Sequence, residues 1–237
     1  MTRLTLLLSL MLMTQYAGAQ NIGGGISIEQ TRVIFSSTEK AQTVTVKNTD
    51  NWAYLLQARI QKTPNDSANT PFIVTPPLSS LQADSRQLLR IMPLNAELSD
   101  KQESLFYLAI TAIPASKTPV PEGQALSVGV RFLLKLFYRP AHLSGPNDKT
   151  ACQLIFRQKT QGIEVANPTP YFQTLGAISL DGRSAALKPG ASMVAPYSSL
   201  PLALNVRGHE LTWKTINDYG GLSSSCRQML ATTTEGK

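Results

Sequence analysis

Two cations stand where charge is costly. Arg32 lies in Thr31-Arg32-Val33-Ile34-Phe35, and Lys135 lies among Leu133, Leu134 and Leu136. A long cationic side chain on a strand can lay its stem over apolar neighbours and keep its head in water. The other reading makes an anion-binding pair, poised for a carboxylate through charge-assisted hydrogen bonds. The sequence offers little competing chemistry. Its two histidines, His142 and His209, are not at metal-ligand spacing. No G-x-S-x-G elbow occurs. No phosphate-cradling loop follows a strand, and Gly23-Gly24-Gly25 reads as a flexible lead-in. The chain is therefore expected to bind rather than catalyse, with no cofactor, no metal and no catalytic residue.

The elements that must position these cations are strands. Lys135 falls in the longest extended stretch, Gln124 to Pro140, QALSVGVRFLLKLFYRP. Leu126, Val128, Val130 and Phe132 alternate along it and share one face. An ordinary strand needs only about five or six residues, so this one overhangs its sheet or serves a second purpose. Those four positions are even and Lys135 is odd. Either a bulge near residues 132–134 shifts the phase, or a ligand reaches Lys135 from the other side. Arg32 belongs to Ile26–Phe35, read as a single first strand.

Further alternating runs lie at Gln42–Lys47, Tyr54–Ile60, Phe72–Thr75, Gln87–Met92 and Ser104–Thr111, separated by turn formers. Thr75-Pro76-Pro77 interrupts this series, because proline donates no ladder hydrogen bond. Such a break lets a strand change sheets, and either bond into a proline is a candidate for cis. A proline-rich loop from Pro114 to Gly123 feeds the long strand. Beyond Pro140 a second set follows at Cys152–Arg157, Gly162–Ala166, Tyr171–Leu180, Leu202–Val206 and Glu210–Ile216, with a polar tail after Met229 expected to fray. Short runs at this spacing predict an all-β chain of two sandwiches, residues 20–141 and 142–237.

Residues 1–19 read as a secretory signal peptide: Arg3, an apolar run from Leu4 to Met13, then Ala17-Gly18-Ala19 before Gln20. The run of about ten residues is too short to span a bilayer, so no membrane insertion is expected. The formal net charge is +7, but the Lys and Arg are scattered, without a basic run. That pattern reads as a solvated surface, and nucleic acid is not an expected partner. Export makes a Cys152–Cys226 disulfide the expected state, contributing roughly 4 kcal/mol in the loop-entropy model. Two buried thiols are the alternative.

Several segments together resemble the periplasmic pilus-assembly chaperones of the PapD type. They are Thr31 to Phe35, Thr75-Pro76-Pro77, Glu103 to Tyr107, Lys135 to Pro140, Asn167 to Tyr171 and Ile216 to Gly221. They occur in the family's order and cover essentially the whole mature chain. The resemblance implies two immunoglobulin-like sandwiches set as an L or boomerang. It implies that Arg32 and Lys135 bind the C-terminal carboxylate of a pilin subunit in the cleft between domains. It also implies that Gln124–Leu136 caps the pilin by donor-strand complementation, with Leu126, Val128, Val130 and Phe132 filling its groove. Glu103, Arg139 and Asp218 match a charge cluster that fixes the cleft. The implied partners are pilin subunits and an outer-membrane usher, in the periplasm, and an uncovered strand edge implies a self-capping homodimer. The short Pro114–Gly123 loop resembles the short-loop branch, whereas the Cys152–Cys226 spacing departs from the best-known members. Two other readings would be an exported pilin or adhesin and a carbohydrate-binding sandwich. The first lacks a reason for a complete second sandwich, and the second lacks a cluster of aromatic residues.

Overall fold

The alternation read along the first half becomes two facing sheets. The computed structural model describes residues 24–66, 69–94, 98–115, 128–160, 162–188, 190–204 and 208–230. The expected signal peptide, the start of the long strand through Leu126, and most of the Pro114–Gly123 loop lie outside them. The first nine strands are β1 (Ile26–Ile28), β2 (Arg32–Ser36), β3 (Gln42–Asn48), β4 (Tyr54–Gln61), β5 (Phe72–Thr75), β6 (Leu78–Leu81), β7 (Arg86–Pro93), β8 (Ser104–Pro114) and β9 (Val130–Arg139). One sheet runs β1-β3-β7-β5 and the other β2-β9-β8-β4-β6. Their inward side chains, among them Phe35, Val44, Leu56, Leu89, Ile110 and Leu136, form one buried core.

Two strands change sheets. Ile26–Phe35 is not a single strand: polar Glu29-Gln30-Thr31 separates β1, antiparallel to β3, from β2, parallel to β9. The second change is at Thr75-Pro76-Pro77, where β5 pairs with β7 and β6 with β4. The Thr75–Pro76 peptide bond there is cis.

The second half has its own core, built on Phe156, Val165, Leu175, Leu211 and Trp213. Its elements are α1 (Asp148–Ala151), β10 (Ile155–Gln158), β11 (Ile163–Asn167), β12 (Gln173–Leu180), β13 (Arg183–Ser184), β14 (Met193–Val194), β15 (Ser198–Leu202), β16 (Glu210–Thr215) and β17 (Cys226–Met229). Sheet β10-β11-β15 faces β13-β12-β16-β17, with β14 added on β12.

Three sequence-based expectations fail here, each in part. Cys152 does not begin a strand. Asn147 caps α1 instead, its side chain accepting from the Thr150 N–H at 3.0 Å while Thr150 Oγ1 accepts from the Asn147 N–H at 3.3 Å. This reciprocal box favours one helical turn over extension. Of the expected strand Leu202–Val206, Leu202 instead ends β15 opposite Ile163, Ala203 and Leu204 are unpaired, and residues 205–206 lie outside the described residues. Of the tail expected to fray, Leu230 is buried in the second core, and residues 231–237 lie outside the described residues. The disulfide Cys152–Cys226 joins the residue after α1 to β17, with a Cα–Cα distance of 5.2 Å.

Candidate functional site

Strand β9 carries the site because different neighbours cover different parts of it. β8 pairs with it continuously from Val130 to Tyr138, without a register shift. β2 pairs only with Lys135 to Arg139. From Val130 to Leu134, the margin of β9 facing away from β8 therefore has no strand against it among the described residues. The unbroken register also answers the question of phase. No bulge intervenes, so Lys135 lies on the face opposite Phe132, Leu134 and Leu136.

Of the four alternating positions, Leu126 lies outside the described residues. Val128 and Val130 are exposed, at 67% and 49%, whereas Phe132 is half-buried against its own core. Among the described residues the strand begins at Val130, and residues 124–127 lie outside them. Arg131 braces the outer face, donating to Gln61 Oε1 at 2.6 Å and to the Pro64 carbonyl at 3.0 Å.

The parallel ladder sets Arg32 directly beside Lys135. The Arg32 guanidinium donates from Nη1 to the Ile216 carbonyl at 3.2 Å and lies 5.9 Å from the centre of the Phe137 ring. Its Nε is buried with no hydrogen-bond partner. Among the described residues neither cation forms an ion pair with a carboxylate within 4.0 Å. Burial lowers the pKa of both, and for Lys135 the like charge of Arg32 lowers it further.

One pair of side chains further along that face, Arg139 is saturated. Its Nε donates to Glu103 Oε1 at 2.8 Å, and Nη1 and Nη2 donate to the two Asp218 oxygens at 2.8 and 2.9 Å. Glu103 Oε2 accepts the Phe172 N–H at 2.9 Å. Burial raises the Glu103 pKa, with Arg139 and the Phe172 N–H acting against that rise. Burial alone would lower the Arg139 pKa, but its hydrogen bonds to Asp218 and the charge of Glu103 turn the shift upward. The structure thus brings Glu103, Arg139 and Asp218 together across the two sandwiches, as the sequence motifs align them.

Local geometry places Asp218. Asn217 Oδ1 accepts the N–H groups of Tyr219 and Gly221 at 3.1 and 2.9 Å, closing the turn that presents it. Gly220, at φ +85°, passes so near Thr31 that a Cβ would collide with its side chain. Aromatic packing adds to the contact, with Phe137 and Phe172 at 5.7 Å between ring centres. A cavity of about 670 Å³ opens between the halves, its wall including Arg32, Glu103, Phe137, Gln173, Asn217 and Asp218. Lys135 is not part of that wall. Sequence reasoning missed Gln173, because a single polar residue at a strand start carries no motif.

A family model described as "Pili and flagellar-assembly chaperone, PapD N-terminal domain" matches residues 25–144. A second, "Pili assembly chaperone PapD, C-terminal domain", matches residues 149–226. The probable fimbrial chaperone protein ElfD of Escherichia coli strain K12 is 34% identical over 200 residues, covering 83% of each chain. The chaperone protein MrkB of Klebsiella pneumoniae is 38% identical over 206 residues, covering 82% of this chain and 87% of that one. Among solved structures, the Salmonella enterica SafA pilin in complex with the SafB chaperone aligns with a TM-score of 0.77 at 26% identity. That match covers 88% of this chain and 97% of its counterpart.

Proposed function

The chain belongs to the pili assembly chaperones of the PapD type, and from that premise we propose how its cleft and its open strand margin hold a client. The client is a pilin subunit, as the SafB chaperone's complex with SafA pilin suggests. Its C-terminal carboxylate pairs with Arg32 and Lys135. Its last residues add to β9 along Val130–Leu134 and the strand's continuation towards Gln124.

One observation carries this reading: among the described residues, two adjacent cations without a carboxylate stand at the end of a strand margin without a neighbour. Two half-buried cations side by side repel each other, and a carboxylate relieves both the repulsion and the lost hydration. The margin offers backbone N–H and C=O groups that an extended chain satisfies by β-augmentation. Leu126, Val128 and Val130 then enter the subunit's groove, with Phe132 at its end. Each fully buried aliphatic anchor contributes about 1.5–3 kcal/mol. Association costs of several kcal/mol come off that sum, so the subunit is held firmly yet can be passed on.

In this reading residues 1–19 direct export to the periplasm, and an outer-membrane usher receives the loaded subunit. Residues 20–141 carry the client-binding strand, and residues 142–237 complete the cleft. Glu103, Arg139 and Asp218 fix the angle between the two. Without client, the same margin pairs with a second copy of the chain, and sedimentation at rising concentration should reveal that dimer. A monomer at every concentration tested would remove self-capping from the reading. The central test is capture of the tagged chain from the periplasm of its host, alongside Lys135→Ala. A stoichiometric small β-rich subunit with the wild type, lost in the variant, is the expected result. Equal capture by both proteins would overturn the carboxylate anchor.

A further inference from the structure

The polar groups in the cleft divide by whether they already have partners. Its carboxylates do: Glu103 bonds Arg139 and the Phe172 N–H, Asp218 bonds Arg139, and Asp148 accepts from the N–H and hydroxyl of Ser224. Among the described residues four buried side-chain atoms have no partner, namely Arg32 Nε, Ser79 Oγ, Gln173 Nε2 and Thr174 Oγ1. Of these residues only Arg32 and Gln173 line the cavity, one from each sandwich. Both atoms are donors. A buried donor without an acceptor is costly, so a small side-chain adjustment that brings either atom against a ligand oxygen would recover that cost.

The two are connected through the backbone. Arg32 donates to the Ile216 carbonyl, and the Ile216 N–H donates to the Thr174 carbonyl at 2.8 Å. Gln173 immediately precedes Thr174 and opens β12, with a side chain only 3% exposed. The cavity, of about 670 Å³, is much larger than a carboxylate group. A lone carboxylate would leave most of that space unfilled. A segment of peptide brings a carboxylate and carbonyl oxygens in sequence.

We propose that Gln173 is a second reader of the client's C-terminal segment, its amide N–H donating to a peptide carbonyl near the carboxylate held by Arg32. This rests on the carboxylate reading above and adds a contact from the second sandwich. The client is thereby bound by both halves, and the angle fixed by Arg139 becomes part of its recognition.

The test uses two probes, acetyl-Val-Thr-Val-Thr-Val as the free acid and as the C-terminal amide, titrated into the full chain. Gln173→Leu keeps the buried volume and removes the donor. It should weaken both probes about three- to tenfold, the range for one neutral hydrogen bond, without lowering Tm. Gln173→Glu, which puts an acceptor where a donor is needed, should weaken both further. Arg32→Ala should reduce the acid to the level of the amide. Unchanged affinity in Gln173→Leu would overturn the proposal, and so would a fall in its Tm, which would reveal an internal partner for the amide. Unchanged acid affinity in Arg32→Ala would instead remove the carboxylate reading, leaving Gln173 to be judged on the amide probe. A wild type that binds neither probe would count against both.

Discussion

Lys135 and Arg139 project from the same face of β9, four residues apart, and their surroundings are opposite. Arg139 meets two carboxylates and has every nitrogen engaged. Lys135 meets Arg32, another cation, and no carboxylate within ion-pair distance among the described residues. Both ends bear the cost of taking charge out of water, but only one recovers it inside the chain. The difference separates a group that holds the fold's two halves from a group that waits for a partner. Burial alone would not reveal which is which, because both are substantially shielded.

The largest effects should fall on opposite observables. Lys135→Ala should abolish recovery of the client complex and leave the free chain at least as stable as before, since the ammonium it removes is shielded from water beside another cation. Arg139→Ala should do the reverse, costing about 3–5 kcal/mol, the range for stripping one partner from a buried ion pair. Urea denaturation of the two variants measures this directly. A Lys135→Ala chain that unfolds, or an Arg139→Ala chain of wild-type stability, would erase the distinction.

A second contrast concerns strand margins. Among the described residues β9 is left open at Val130–Leu134, whereas in the second sandwich the Gln228 side chain covers β10. Its Oε1 accepts the Phe156 N–H at 2.9 Å and its Nε2 donates to the Phe156 carbonyl at 2.7 Å. A side-chain amide thus takes the place of a neighbouring strand, as a device against unwanted pairing. Val130→Asp should speed client dissociation about tenfold to a hundredfold, the loss of one aliphatic anchor. Gln228→Leu should leave the client alone and lower chain stability by about 1–3 kcal/mol for two hydrogen bonds. Stopped-flow dissociation and thermal denaturation separate the two. Slower subunit binding in Gln228→Leu would mean that the second margin also takes part.

Much of this was legible in the sequence because period-two alternation and turn residues are local signals. Leu56, Ala58 and Ile60 face the core as their spacing predicts. The failures came where a side chain competed with the backbone. Asn147 and Thr150 turned an expected strand into a helical turn, and Glu29-Gln30-Thr31 let one apparent strand serve two sheets. In the site, the charge cluster was readable by resemblance, since its residues lie in motifs. Gln173 was not, because its significance depends on a missing partner, and only three-dimensional packing shows which donors have none.

The smallest effect is also the most specific to the unpaired end. Burial first, and then the charge of Arg32, hold the Lys135 pKa below the ordinary lysine value of about 10.4. Between that lowered value and about 10.4 the unfolded chain binds more protons than the folded one. Free-chain stability should therefore rise with pH across this window. A bound carboxylate favours the ammonium, so the complex retains a proton that the free chain has released, and client affinity should fall as pH rises through the same window. Tyr107, opposite Lys135 on β8, has its phenol pKa raised by burial, so it opposes the Lys135 slope only at the upper end of the window, from about pH 10. Arg32 stays charged throughout. The two measurements should thus slope in opposite directions, and Lys135→Arg, which cannot lose its proton there, should flatten both. If affinity stayed level to about pH 10 in the wild type, Lys135 would not supply the charge that holds the client. The contrast with Arg139 would then lie in packing rather than electrostatics.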